Sequence, residues 1–204
     1  MSEPVTYRLP VSTLDYLTDP VVHTAVNSLL DVADDAMPAS LERDEISNYY
    51  RARAAALAVK YDTVIALEEL WRVVWGDIVS KWSFYEKHID EITPDSTWSD
   101  RDFWMRHQRS GFDFYTAVQI QGGPGDDTLH IMLACSLEGP AGDEVLDGHL
   151  DGFALSGDKG DWNGWMLAQS PVSFSPQEDW DLAPLLEAVS HVRTVVAERI
   201  ASRG

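Results

Sequence analysis

At 204 residues, with 34 Asp and Glu against 15 Lys and Arg, the chain has a formal charge of −19, and 45% of it is hydrophobic. It is long enough to bury a full core, and its charge disfavours direct binding to nucleic-acid backbones or anionic membrane surfaces, which needs clustered Lys and Arg. Eight Trp, seven Tyr and six Phe argue against disorder. The single cysteine, Cys135, allows no intramolecular disulfide and fits a cytoplasmic chain. Residues 1–10 lack the basic and apolar regions of a signal peptide, and no apolar run reaches membrane-spanning length.

The first half reads as helix. Asp19-Pro20 is an N-cap followed by proline at the first helical position. Val22, Val26, Leu29, Leu30 and Ala33 continue the helical period to about Asp35, and Pro38 closes it. Ser40 caps the next segment, where Ile46, Tyr49, Tyr50, Arg53 and Leu57 keep the spacing. Between Leu41 and Thr93 there is no Pro and one Gly, Gly76. Val64, Leu67, Trp71, Val74, Trp75, Ile78, Trp82, Tyr85 and Ile89 mark one face of that run. So long a straight helix is unusual in a domain of this size, so a break is expected at 60–63, giving two antiparallel helices. Thr93-Pro94 ends the run. Ser99 is expected to cap a short helix from Asp100 to about Arg109, terminated by Gly111.

The second half changes period from 3.6 to 2. Phe112, Phe114, Thr116, Val118 and Ile120 alternate with Asp113, Tyr115, Ala117, Gln119 and Gln121. After the turn cluster at 122–126, Leu129, Ile131, Leu133, Cys135 and Leu137 alternate with His130, Met132, Ala134 and Ser136, which predicts a β-hairpin. A turn at 139–142 and two weaker strands around 145–155 and 163–172 follow. Ser175-Pro176-Gln177-Glu178 has capping-box spacing, but Pro184 moves the start of the last helix toward Asp181. That helix runs to about Ala201 on Leu182, Leu185, Leu186, Val189, Val192, Val196 and Ile200. The expected fold is α+β: a layer of about four helices packed on an antiparallel meander of about four strands, closed by a long C-terminal helix. It is read as a single domain, 1–204, with a possible sub-boundary near 93–99.

Charge is unevenly placed. Residues 110–192 hold fourteen acidic side chains and one basic one, Lys159, a formal charge of −13. Internal ion pairs cannot neutralise such a segment, so it presents a negative field to water, a cation or a basic partner.

Within that segment, Asp147-Gly148-His149-Leu150-Asp151-Gly152, continuing to Asp158, approaches the spacing of a calcium loop. His149 is a poor oxygen donor there, Asp158 lacks the reach of Glu, and the flanks are Gly-rich. On a strand, Asp147, His149 and Asp151 would instead share a face suited to a transition metal. The bland alternative is a solvated acidic strand bounded by Asp-Gly turns. A nuclease site from Asp151, Asp158 and Lys159 would have Lys159 and Asp158 on opposite strand faces, and it lacks basic surroundings for a phosphate. Cys135 falls in the apolar row of its strand and reads as a small hydrophobe. The 122–125 glycines lie between two strands, which makes them a hairpin loop and not a phosphate cradle. Trp71, Trp75, Trp82 and Tyr85 read as core along one helical stripe, with Phe84, Trp98, Phe103 and Trp104 as further members of that aromatic group. Trp162, Trp165 and Trp180 sit among carboxylates and suit interface anchors.

No catalytic motif stands out, so the expected function is interaction. Asp143, Glu144, Asp147, Asp151, Asp158, Asp161, Trp162 and Trp165 would engage a basic, possibly nucleic-acid-binding, protein surface by electrostatic occlusion, as a nucleic-acid mimic, an inhibitor or an immunity-type protein would. Two alternatives stand beside it. In one, the acidity serves solubility in a high-GC or halophilic source. In the other, Asp147, His149, Asp151 and Asp158 hold calcium or a transition metal in a binding module or hydrolase.

Overall fold

Asp19 caps a helix as its sequence requires: its carboxylate accepts from the backbone N–H of Val21 at 2.7 Å and of Val22 at 3.2 Å, with Pro20 in the first turn. A computed structural model describes residues 5–31, 43–87, 101–146, 150–155, 165–168, 172–176 and 178–203. In chain order these form β1 (Thr6–Tyr7), α1 (Val11–Thr18), α2 (Pro20–Leu30), α3 (Arg43–Val79), β2 (Ser83–Lys87), β3 (Asp102–Arg109), β4 (Phe112–Gln121), β5 (Leu129–Glu138), β6 (Phe153–Leu155), β7 (Met166–Ala168), β8 (Val172–Phe174), β9 (Trp180–Asp181) and α4 (Ala183–Arg203).

The fold is α+β, with corrections inside its helical half. The expected break at 60–63 does not occur: α3 is one helix of 37 residues, about 55 Å long at the helical rise. Helix length was the only argument for a break, and no residue there interrupts hydrogen bonding. Thr63, the residue least suited to a helix interior, turns its hydroxyl back onto the Val59 carbonyl at 2.9 Å. Burial then follows the helical period through Val64, Leu67, Leu70, Trp71, Val74, Trp75 and Ile78. Among the described residues, the expected layer of about four helices before the sheet is represented by three, one of which, α1, its sequence pattern did not announce.

Two further expectations are overturned at the start of the sheet. Residues 83–87, read as the end of the helical stripe, form strand β2, and 102–109, read as a capped helix, form β3. In β3 the buried Phe103, Met105 and His107 alternate with Trp104, Arg106 and Gln108, a period of two. Gly111 stops no helix. With Ser110 it forms a two-residue hairpin between the paired Arg109 and Phe112, with φ of 54° and 80° at the two turn residues. Both values suit the right-handed twist of the flanking strands. The Ser175 capping box is replaced by a turn, Glu178 N–H to the Ser175 carbonyl at 3.2 Å, and by β9, so α4 begins after Asp181. The candidate sub-boundary at 93–99 lies outside the described residues, while β2 and β3, on either side of it, are neighbours in one sheet.

That sheet has the order β2-β3-β4-β5-β7-β6, with β8 also on β5, and all its described pairings are antiparallel. Among the described residues, the expected meander of about four strands is thus extended to a sheet of seven. β4 and β5 form the anticipated hairpin over nine consecutive pairs from Asp113↔Glu138 to Gln121↔His130.

Helix and sheet are joined by two tryptophans of α3. Trp71 Nε1 donates to the Thr116 carbonyl at 3.0 Å and hydroxyl at 3.1 Å, and Trp75 Nε1 donates to the Ala117 carbonyl at 3.0 Å. Both indoles are buried, so these bonds satisfy donors that water cannot reach. His107 stacks on Trp71 with centroids 5.6 Å apart and planes 4° from parallel, and Phe84 meets the imidazole edge-on. α4 joins the layer through Leu185, Val189, Val192 and Val196, and an Arg193–Asp77 ion pair ties it to α3.

Two outcomes test this arrangement. Tyr61 is half-exposed in the middle of α3. Tyr61→Pro is expected to destabilise the fold by about 3 kcal/mol or more in denaturant unfolding, because it breaks a continuous helix; a loop at 60–63 would absorb it. Burial lowers the pKa of His107 from its ordinary 6.5. The unfolded chain then binds the extra proton first, so stability declines as pH falls below about 6.5 toward the lowered folded value. His107→Phe, which keeps the stacked ring, is expected to flatten that part of the stability–pH curve.

Candidate functional site

The sheet has two unlike faces, set by strand alternation. One, carrying Phe103, His107, Phe114 and Thr116, meets Trp71, Trp75 and Trp82. The other carries Trp104, Arg106, Asp113, Tyr115, Ser136 and Glu138. Register arranges these in cross-strand rows. Gln108, Asp113, Glu138 and Glu144 lie side by side, since Gln108 pairs with Asp113, Asp113 with Glu138, and Glu138 bridges to Glu144. The next row is Arg106, Tyr115 and Ser136, and the one after it Trp104, Ala117, Ala134 and Leu167.

Arg106 is the centre of this face. It grips Asp113 through two nitrogens, Nε to Oδ1 at 3.2 Å and Nη2 to Oδ2 at 2.9 Å, and its Nη1 lies 3.7 Å from the Glu86 carboxylate. Its guanidinium sits 4.1 Å from the Tyr85 ring centre and 5.4 Å from that of Tyr115. Burial alone would raise the Asp113 pKa, but hydrogen bonds from Arg106 and Gln108, with the Arg106 charge, hold it below the usual carboxylate value. Tyr115 in turn meets Trp104 and Trp165, with centroids at 6.3 and 5.6 Å, a three-ring row beside the carboxylates.

One guanidinium does not neutralise the row. Glu138 and Glu144 face each other directly across two antiparallel segments, an arrangement that is destabilising when both are charged. Burial, followed by the Glu144 and Asp113 charges, raises the Glu138 pKa. Glu144 draws one hydrogen bond from the Ser136 hydroxyl at 2.5 Å.

The acidic residues named from sequence separate into groups. Glu144 and Trp165 belong to the face just described. Asp143, one residue away, is held by Arg203 at the end of α4, and that guanidinium keeps its carboxyl below the ordinary value. Asp151 sits in the turn in which Phe153 N–H bonds to the Leu150 carbonyl, with Gly152 at φ 80°. Its side chain is fully exposed, 3.9 Å from His191 Nε2. Asp147, His149, Asp158, Asp161 and Trp162 lie outside the described residues. Among the described residues, no three His, Cys, Asp or Glu side chains are grouped to hold a metal ion.

Cys135 is fully buried and its thiol pKa is pushed up by burial and then by Glu144, so it is held as a neutral thiol. Trp180, grouped from sequence with the interface anchors, is instead core: it is 2% exposed, stacks on Phe174 and donates to the Ser175 carbonyl at 3.1 Å. The 122–125 loop is a hairpin loop, closed by Asp126 accepting from Gly123 N–H at 2.6 Å. No described helix is long and apolar enough to cross a membrane.

Sequence reasoning missed Arg106, Asp113, Tyr115, Ser136 and Glu138. The last four were visible as the polar alternates of the hairpin. Arg106 was hidden because its strand read as a helix. No protein-family model, no curated protein and no solved structure matches the chain.

If Glu138 and Glu144 repel as placed, Glu138→Gln is expected to raise the melting temperature at neutral pH by about 1–4 °C in low salt, the equivalent of the ~0.2–1 kcal/mol cost of directly opposed like charges. The gain is expected to shrink as pH falls through the raised folded pKa toward the ordinary value of 4.5, because the wild-type carboxyl then takes up a proton. Calorimetric scans of both proteins from pH 4 to pH 8 measure it.

Proposed function

We propose that this chain is a protein-interaction module whose Arg106-centred sheet face engages a basic surface of another protein. The observation that supports this reading most is the row Asp113–Glu138–Glu144, three carboxylates side by side with one guanidinium beside them. A fold gains nothing from opposing Glu138 to Glu144. Residues kept against stability are characteristic of binding sites, where the missing counter-charge arrives with the ligand.

Adjacent to the row, Tyr115 packs with Trp104 and Trp165, and Arg106 already lies over the rings of Tyr85 and Tyr115, so this face accommodates cations on aromatic rings. Edge strand β2 extends the surface with Tyr85, which is more than half exposed and lies against the Arg106 guanidinium. The −13 charge of residues 110–192 would steer such a partner toward this part of the molecule. The mechanism is occlusion of the partner's basic surface, without catalysis. Occupying the groove of a nucleic-acid-binding protein would be one instance of it.

The test is binding of an Arg-rich peptide, followed by fluorescence polarisation at increasing salt. Affinity is expected to fall steeply with salt, and the pair Glu138→Lys and Glu144→Lys to weaken it by about tenfold or more, the scale of one charge-assisted contact. Reversal of two exposed carboxylates elsewhere, Asp44→Lys and Glu187→Lys, serves as the control. Equal losses from both pairs would mean that net charge alone attracts the peptide, and the reading would fail. Salt-insensitive binding would sink it as well.

A further inference from the structure

Six of the fifteen Lys and Arg side chains are spent on carboxylates of the chain itself. Arg8, Arg72, Lys87, Arg106, Arg193 and Arg203 each make an ion pair. Lys81 and Arg109 do not: among the described residues, neither side chain has an ion pair or hydrogen bond. They nevertheless line the same cleft. Lys81 comes from the turn that ends α3, and Arg109 from the end of β3. With Ser83, Gln108, Ser110 and Gly111 they line an open cleft of about 430 Å³ at the end of the sheet.

We infer that this cleft binds an oxyanion of the phosphate-monoester class, with the phosphate against Lys81 and Arg109. Every charged group in the lining is positive, and the two serine hydroxyls add donors. A guanidinium presents a planar fork and an ammonium a mobile point charge, the two forms of donor that phosphate sites combine. The carboxylate tied most closely to the lining, Asp113, is bonded to Gln108 and already gripped by Arg106, so it does not claim either free cation. The volume lies within the ~300–1,000 Å³ usual for small-molecule sites, which leaves room for the organic part of the ester.

The turn that carries the donors is itself unusual. Ser110 is the one non-glycine residue with positive φ among the described residues. Asn or Gly is the common choice at that hairpin position, so the serine hydroxyl is kept where it does not help the backbone. Gly111 has its own constraint: a Cβ there would come within 3.3 Å of the Pro140 ring, so the hairpin is seated against the 139–142 turn.

This cleft adjoins the acidic row through Gln108, but none of the residues reversed in the peptide test lines it. The experiment is an amide chemical-shift titration of the full chain with inorganic phosphate, against sodium chloride at matched ionic strength, then repeated with acetate and with glycerol phosphate. Saturable shifts at Ser110 and Gly111 are expected with phosphate and with the ester, and weaker ones with acetate. Lys81→Gln and Arg109→Gln are each expected to weaken phosphate binding by about tenfold or more. Ser110→Gly, which keeps the turn, is expected to weaken it less while raising the melting temperature. Arg43→Gln and Arg51→Gln, at two other cations without described partners, are expected to leave binding unchanged. Shifts that never saturate, or equal losses from the Arg43 and Arg51 variants, would reduce the effect to general screening and overturn the proposal. Acetate binding as tightly as phosphate would overturn the assignment of ligand class.

Discussion

Two indole N–H groups hold this structure in register. Trp71 and Trp75 are one helical turn apart on α3, and they donate to the carbonyls of consecutive residues, Thr116 and Ala117, on central strand β4. Because the donors are four residues apart on a rigid helix and the acceptors adjacent on a rigid strand, together they set both the height and the direction of the helix over the sheet. Each indole must find a partner once buried, so other placements of α3 would leave a donor without water or protein. Around them the large core side chains Phe103, Phe114, Leu67 and Leu70 close the space between layers.

With α3 placed, the two faces of the sheet acquire opposite characters. The face toward the helices takes the apolar alternates of β3, β4 and β5. The polar alternates are left together on the other side, where strand pairing turns residues distant in sequence into neighbours. Arg106, Asp113, Glu138 and Glu144 span 39 positions of chain and form one cluster. Its electrostatics are unbalanced: Asp113 is satisfied by Arg106, while Glu138 and Glu144 face each other with a single serine hydroxyl as described local support. At the end of the same sheet the imbalance has the opposite sign, where Lys81 and Arg109 line one cleft without a carboxylate between them. A chain of net charge −19 therefore keeps two local, uncompensated charge features of opposite sign, and these carry the functional readings.

Much of the fold was legible because its signals are local. The Asp19-Pro20 cap, the β4–β5 alternation, the glycine turns and the period of α4 depend on residues within a few positions of one another. The failures were also local in origin. In 83–87 and 102–109, aromatic and charged residues fit both a helical stripe and a strand, and pairing of β3 with β4 and of β2 with β3 decided between them. The break placed at 60–63 came from expected helix length, whereas α3 is continuous because no Pro or Gly interrupts it there and its buried stripe runs on from Val64 to Ile78.

By itself, the amino-acid order determined that the chain is acidic, folded and α+β, and that its negative charge is concentrated after Arg109. Those properties are sums over residues or short-range periods, and they need no knowledge of what meets what. Only the tertiary structure decided which charges matter together. It joined Glu144 to Glu138 and Trp165 to Tyr115, gave Asp143 to Arg203, set Asp151 apart beside His191, and brought Lys81 to Arg109. Such groupings are fixed by strand register and by the seating of α3. Both arise from pairings between distant segments, which no local pattern encodes.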